Sequence, residues 1–175
     1  MPIIKNKTLI SLTKLFKISK LDIEFEKNII REYEVISGTG NGAVMIIPVT
    51  QNTIFFIKEY AAAIDAYALT FPKGGIDKGE SILEAANREL QEEIGYMSSS
   101  LEHIHTINLA PGYIDHKTHI VLAKNLSPSK LCGDEPEDLE TIEVPLGDID
   151  NFLSKNTHID SRVLASLYVY GNLTT

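Results

Sequence analysis

An α+β fold is predicted for this chain of 175 residues. Short segments with period-two hydrophobicity recur along it, helical patterns are sparse, and one central helix carries start and stop signals at both ends. At this length, with 43% hydrophobic residues, one domain plus an appendage is expected, with room for a core.

The elements follow in order. Residues 8–18 and 21–36 read as short strands. Leu21, Ile23 and Phe25 alternate with Asp22, Glu24 and Glu26, and Lys27-Asn28 suits a hairpin turn although the favoured glycine is absent. A hairpin alone is marginal, so this segment needs a surface, either on its own domain or on a second subunit. Ser37-Gly38-Thr39-Gly40-Asn41-Gly42 is a flexible turn or linker that separates residues 1–40 from residues 41–175. Residues 43–49 and 54–57 are apolar runs joined by Thr50-Gln51-Asn52-Thr53, a core hairpin. Residues 65–71 give a further strand, as do 103–110, 119–123 and 140–144. Residues 146–153 and 161–170 are helical, the latter with Val163, Leu164, Leu167 and Tyr168 as its apolar stripe.

Ser81 with Glu84 forms a capping box at the start of the central helix, and Gly95 suits the left-handed turn that ends it. Ile82, Leu83, Ala86, Leu90 and Ile94 make its core stripe. Glu89, Glu92 and Glu93 share the neighbouring face within an arc of roughly 100°. Carboxylates that close repel, and a divalent cation removes the conflict because hard oxygen ligands suit Mg²⁺ or Mn²⁺. An acid-rich face is also what a solvated surface helix shows. This helix has no lysine to offset the repulsion, however, and Arg88 is its one cation. The preceding Phe71-Pro72-Lys73-Gly74-Gly75 leaves a strand and turns tightly, with Gly79 ahead of the helix, so backbone can approach a ligand closely.

A net charge of −8 argues against nonspecific binding to nucleic acid or anionic membrane, since both are polyanions. The single cysteine, Cys132, excludes an internal disulfide framework and suits a reducing cytoplasm. The N-terminus lacks the apolar core of a signal peptide, and no stretch approaches the length of a membrane span.

Gly74, Glu80, Arg88, Glu89, Leu90, Glu92, Glu93 and Gly95 fall in the register G-x5-E-x7-R-E-Leu-x-E-E-x-G. Chance would give that pattern roughly 10⁻⁷ of the time at this length. On these residues the chain resembles the Nudix hydrolases. The position after Gly95, usually aliphatic in that family, is Tyr96. The resemblance implies an α/β/α sandwich with a mixed sheet, here preceded by a small N-terminal antiparallel β segment. It implies metal-assisted cleavage of a nucleoside diphosphate linked to another group, with Glu89, Glu92 and Glu93 as ligands and the main-chain carbonyl of Lys73 joining them. It gives Arg88 the role of pairing with and orienting the carboxylates, with Glu80 as a candidate partner.

Within the family, Pro111, fifteen residues past Tyr96, resembles the ADP-ribose and ADP-sugar branch, and Tyr113, seventeen past, resembles diadenosine polyphosphate hydrolases. Together with Ile57-Lys58-Glu59-Tyr60 and Gly133-Asp134-Glu135-Pro136 they most resemble the ADP-compounds hydrolases. The substrates implied are ADP-ribose, reduced nicotinamide dinucleotide (NADH) and diadenosine polyphosphates, with AMP released, and by analogy a homodimer built on the N-terminal strands. In the acidic loop 133–138, which holds Glu135 and Glu137, the resemblance implies a water-activating glutamate, with Glu135 favoured against a loop of merely solvated charge. Tyr60 and Arg31 are candidates for adenine stacking and phosphate pairing. Asp115, His116, His119, Lys58 and the Lys73 side chain are further candidates for contacting substrate, against packing or surface roles. Two alternatives remain: a nucleoside-triphosphate pyrophosphatase of the same family, and a non-catalytic nucleotide sensor. The intact motif speaks against the sensor.

Overall fold

Three antiparallel strands open the chain: β1 (Ile3–Leu12), β2 (Phe16–Phe25) and β3 (Ile29–Gly38). The computed structural model describes residues 1–38, 40–133 and 135–174, without the side chains of Lys27 and Thr174. Thr39 of the glycine-rich turn and Asp134 of the acidic loop lie outside the described residues. The break expected between residues 18 and 21 is corrected: it lies at residues 13–15, between β1 and β2. Thr13 opens that break, its N–H donating to the Phe16 carbonyl and its hydroxyl accepting from the Phe16 N–H at 2.9 Å. The turn at Lys27-Asn28 is present, and Asn28 takes the left-handed conformation (φ 63°) that a glycine would have taken.

The remaining strands are β4 (Ala43–Pro48), β5 (Thr53–Ala61), β6 (Ala66–Thr70), β7 (Lys73–Gly75), β8 (Tyr96–Ala110), β9 (Ile114–Pro128) and β10 (Glu140–Pro145). Helix α1 (Ile82–Glu93) precedes β8, and α2 (Ile149–Ser154) and α3 (Ser161–Thr174) close the chain. One seven-stranded sheet runs β1-β2-β3-β9-β4-β7, with β8 pairing β9. A second sheet of three strands runs β10-β5-β6. The first sheet is mixed, since β4 and β3 pair parallel to β9 while β8 and β7 pair antiparallel to their partners. The N-terminal strands join it through Ile36 and Ser37 beside Ile114 and Asp115, so their anchor on the rest of the chain is short.

The core hairpin expected over residues 43–57 is corrected. The turn closes, with Thr50 N–H donating to the Thr53 carbonyl at 2.9 Å and Val49 bridging Ile54. Beyond that bridge the strands part: β4 pairs with β9 and β7, β5 with β10 and β6. Both strands are buried on both faces, so their apolar runs are continuous and say nothing about the pairing partner. Val44, Ile46, Phe55 and Ile57 face α1 through Ala85, Ala86, Leu90 and Ile94, while Met45, Ile47, Ile54 and Phe56 face α2 and α3. Phe56 stacks on Phe71 with ring centroids 4.7 Å apart. Burying each such side chain contributes roughly 1.5–3 kcal/mol.

Strands β8 and β9 extend well past the expected 103–110 and 119–123. Their polar outer stretches lack apolar alternation and are held by ladder hydrogen bonds to each other. In α1 the expected Leu83 is exposed and Ala85 is buried instead. In α3, Leu164 and Tyr168 are 51% and 74% exposed, and the buried side is Val163 and Ser166, with Leu167 and Tyr170 packed against the core. A stripe read as adjacent pairs misses the face when only one member of each pair points inward. Among the described residues, no helix is long and apolar enough to cross a membrane.

Candidate active site

The capping box places α1. Ser81 accepts from the Glu84 N–H, Glu84 accepts from the Ser81 N–H at 2.8 Å, and a cap of this kind contributes about 1 kcal/mol. Gly95 ends the helix with φ 73°. Fixed at both ends, the helix turns Ala85, Ala86 and Leu90 into the core. Glu89 and Glu93 point toward β7, only 8% and 5% exposed.

Gly74 faces Glu89, and a Cβ on it would overlap the Glu89 carboxylate outright. The glycine is required here for space, since its backbone is not left-handed. The Lys73 N–H donates to Glu93 Oε2 at 3.0 Å. Arg88 gathers the remaining acids. Its guanidinium donates to Glu80 Oε1 at 2.9 Å, Glu89 Oε1 at 2.7 Å, Glu92 Oε2 at 2.9 Å and the Gly75 carbonyl at 2.9 Å. These bonds, Glu80's first, push Arg88 still further into its charged form and hold the Glu80 carboxyl below its usual range.

Glu93 is different. Burial pushes its carboxyl up to about 8; the Lys73 charge and N–H pull it down, and Glu89 and Glu59 add to the rise. The folded, metal-free protein therefore holds a proton on Glu93 that the unfolded chain releases near 4.5. The stability linked to this group is fully present below 4.5 and is lost as pH rises through about 8, by on the order of a few kcal/mol. The thermal midpoint of the metal-free protein is expected to fall between pH 5 and pH 8. A divalent cation should raise that midpoint more at pH 8 than at pH 5. Equal shifts at the two pH values would remove Glu93 from the cation's surroundings.

The donor set fits a hard divalent cation: carboxylate oxygens, two of them on buried residues, one in conflict with its burial, and a main-chain turn without Cβ above them. Among the described residues, no three acidic, histidine or cysteine side chains converge at metal spacing. Arg88 instead bonds one carboxylate oxygen of Glu89 and one of Glu92.

Glu135 lines the same open cleft as Lys73, Gly74, Arg88, Glu89 and Glu92, so the structure brings it beside the acidic helix face. Tyr60 is exposed; its hydroxyl donates to Asp65 at 2.7 Å and its ring meets Tyr67 edge-on, 5.8 Å between centroids. The structure does not bring Arg31, Pro111 or Tyr113 to this cleft. Arg31 lies on β3, its guanidinium donating to the neighbouring Ile30 carbonyl. Pro111 and Tyr113 form the β8–β9 turn, where the Tyr113 carbonyl accepts from Ile36 N–H. Asp115, His116 and His119 line a separate hollow beside Phe16 and Gly42. His119 is bonded through Nδ1 to Thr106, and burial lowers the pKa of both histidines. Lys58 pairs with Glu140 on the neighbouring strand.

Two groups near the cleft were not singled out from the sequence. Tyr67 donates to both Glu137 oxygens, at 2.9 and 3.0 Å, and so ties the acidic loop to β6. Glu59 forms an ion pair with Lys73. Glu59 stands within Ile57-Lys58-Glu59-Tyr60, yet nothing local marks its partner; the pairing of each residue depends on segments meeting that are distant along the chain.

Comparison with known proteins agrees with the motif. The ADP compounds hydrolase NudE of Escherichia coli (strain K12) is 38% identical over 168 residues, which cover 96% of this chain and 90% of that protein. The ADP-ribose pyrophosphatase of Bacillus subtilis (strain 168) is 32% identical, over 81% of this chain and 77% of its own. A crystal structure of an ADP compounds hydrolase superposes with a TM-score of 0.89 at 36% identity, covering 98% of this chain and 93% of the other. The NUDIX domain family matches residues 40–167, from the glycine-rich turn into α3. Nudix hydrolases in general need a divalent metal. With its motif folded into a capped helix whose buried glutamates meet a glycine turn, and with that match over most of its length, the chain belongs to the Nudix family.

Proposed function

We propose that this protein hydrolyses the pyrophosphate bond of ADP-linked compounds (ADP-ribose, NADH and diadenosine polyphosphates), releasing AMP. The observation that carries the reading is the buried pair of Glu89, against Gly74, and Glu93, held by the Lys73 N–H, on a chain similar over 96% of its length to an ADP compounds hydrolase. Glu89, Glu92, Glu93 and the Lys73 carbonyl would hold Mg²⁺, with Mn²⁺ as the alternative. Such a cation neutralises charge on the phosphates and acidifies water. Arg88 keeps Glu89 and Glu92 aligned until the cation enters, and Lys73 N–H holds Glu93 in place. Glu135, lining the cleft from the acidic loop, takes the proton from the attacking water.

Tyr60 is the proposed stacking surface for a base. Arg31, Pro111 and Tyr113 stand away from the cleft within one chain, and their proposed roles in substrate binding require the N-terminal sheet of a second copy. That sheet, residues 1–40, exposes Ile3, Ile4, Leu9 and Ile10, which a homodimer would cover, leaving residues 41–175 as the hydrolase domain. The net charge of −8 and the free, exposed Cys132 fit a cytoplasmic enzyme of small nucleotides rather than a binder of nucleic acid or membrane.

A product assay with Mg²⁺ tests the reading. AMP should appear from ADP-ribose, NADH and diadenosine triphosphate, with nucleoside triphosphates untouched. Inorganic pyrophosphate from a triphosphate would replace the substrate assignment with a triphosphate pyrophosphatase. Absence of any turnover would replace it with a nucleotide sensor.

A further inference from the structure

Lys73 is anchored at both ends. Its main-chain N–H donates to Glu93 at 3.0 Å, and its ammonium forms an ion pair with the Glu59 carboxylate. Lys73 opens β7 in the seven-stranded sheet, whereas Glu59 lies on β5 in the three-stranded one. The pair is therefore a tie between two sheets, placed at the residue that starts the Gly74 turn. Its side chains are only 18% and 28% exposed, unlike the solvated pair Lys58–Glu140 on the other face of β5. Both charges also act on Glu93, Lys73 favouring and Glu59 opposing its ionised form, so both stand within electrostatic reach of it.

We propose that Glu59 is a positioning residue for the hydrolysis. By holding the Lys73 ammonium from the second sheet, it fixes the peptide that orients Glu93 and leads into the turn over Glu89. The inference rests on the reading of this cleft as a divalent-cation pyrophosphatase site. The physical need is clear from the strand itself. β7 has three residues, two of them glycine, and is secured by three pairings to β4 at Ala43, Val44 and Met45. Glycine-rich backbone retains conformational freedom unless its neighbours are pinned. Before it, the Pro72 carbonyl accepts from the Ile46 N–H at 2.8 Å; the following glycines hold nothing by side chain. The Glu59 carboxylate supplies an anchor that the glycines cannot. A shift of the Lys73 backbone would move both the N–H that holds Glu93 and the Lys73 carbonyl, and misplacement by about 1 Å in a reacting site lowers rate by about 10²-fold.

The test uses the full chain as wild type, Glu59→Gln, Glu59→Asp, Lys73→Met and the Glu59→Gln/Lys73→Met double variant. Two quantities are measured: steady-state turnover of ADP-ribose, and binding of Mn²⁺ to the resting protein by electron paramagnetic resonance without substrate. Glu59→Gln should lower kcat about tenfold with KM within about threefold, and weaken Mn²⁺ binding by about tenfold, the scale seen when a group supporting metal ligands is removed. Glu59→Asp should recover part of both. The double variant should lose no more than Lys73→Met alone, because both changes cut one tie. Unchanged kcat and Mn²⁺ affinity in Glu59→Gln, with only a lower thermal midpoint, would overturn the proposal, as would losses that multiply in the double variant. If the wild type leaves ADP-ribose intact, the substrate reading fails by itself. Mn²⁺ affinity then decides this proposal: weakened binding in Glu59→Gln supports it, and wild-type binding overturns it.

Discussion

Replacing Glu93 by Gln should lower turnover of ADP-linked substrates by roughly 10³-fold, the scale of a lost acid–base or charge-stabilising group. The fold should survive. The Gln side-chain oxygen can still accept from the Lys73 N–H, and the shape of the buried side chain is kept. The same substitution has a second, opposite consequence. Glu93 is 5% exposed, and burial pushes its carboxyl up to about 8, so at pH 8 the metal-free wild type carries the cost of a partly ionised buried acid. Gln is neutral at every pH. The metal-free variant should therefore melt above the metal-free wild type at pH 8 and close to it at pH 5. It should also lose most of the stabilisation that a divalent cation gives the wild type. Near-normal activity in Glu93→Gln would sink the metal assignment, and an equal melting difference at both pH values would sink the account of burial.

Gly74→Ala is the second large effect. The added methyl would occupy the place of the Glu89 carboxylate, which is itself bonded to Arg88. Either the turn or Glu89 must shift. Overpacking of this kind destabilises by about 1–3 kcal/mol. A carboxylate displaced by about 1 Å lowers rate by about 10²-fold. Gly75→Ala is the control: a Cβ there meets nothing within 4 Å. Steady-state kinetics and thermal melts of the two variants separate a requirement for space from a general sensitivity of the turn. Equal losses in both would leave Gly74 without its special role.

The acidic helix was legible because everything needed to define it is local. The capping box, the Gly95 stop and the spacing of Glu89, Glu92 and Glu93 all lie within one helix, where periodicity fixes which side chains share a face. The strand elements were legible where one face is wet, as in β10. They were misjudged where both faces are buried or polar. β4 and β5 have the apolar runs of a hairpin and yet part into two sheets, and β8 and β9 run on through polar residues. In α3, Leu164 and Tyr168 look like core and are exposed.

The pattern in the site is the same. Arg88, the one cation on the helix, bonds Glu92 one turn on, the adjacent Glu89 and, in the loop before the helix, Glu80, all within thirteen residues of chain. Glu59 and Tyr67 were not singled out, because their partners lie 14 and 70 residues away along the chain. Pro111 and Tyr113 rest on offset along the chain and Arg31 on the chemistry of its guanidinium, and neither says where a strand folds back. The sequence by itself determined the helix, its charge and its family. Only the tertiary structure decided that Glu93 is buried rather than solvated, that Gly74 yields its Cβ space to Glu89, and that Lys73 is held from a second sheet. Burial and cross-sheet pairing depend on which distant segments meet, whereas a helix face depends only on residues three and four apart.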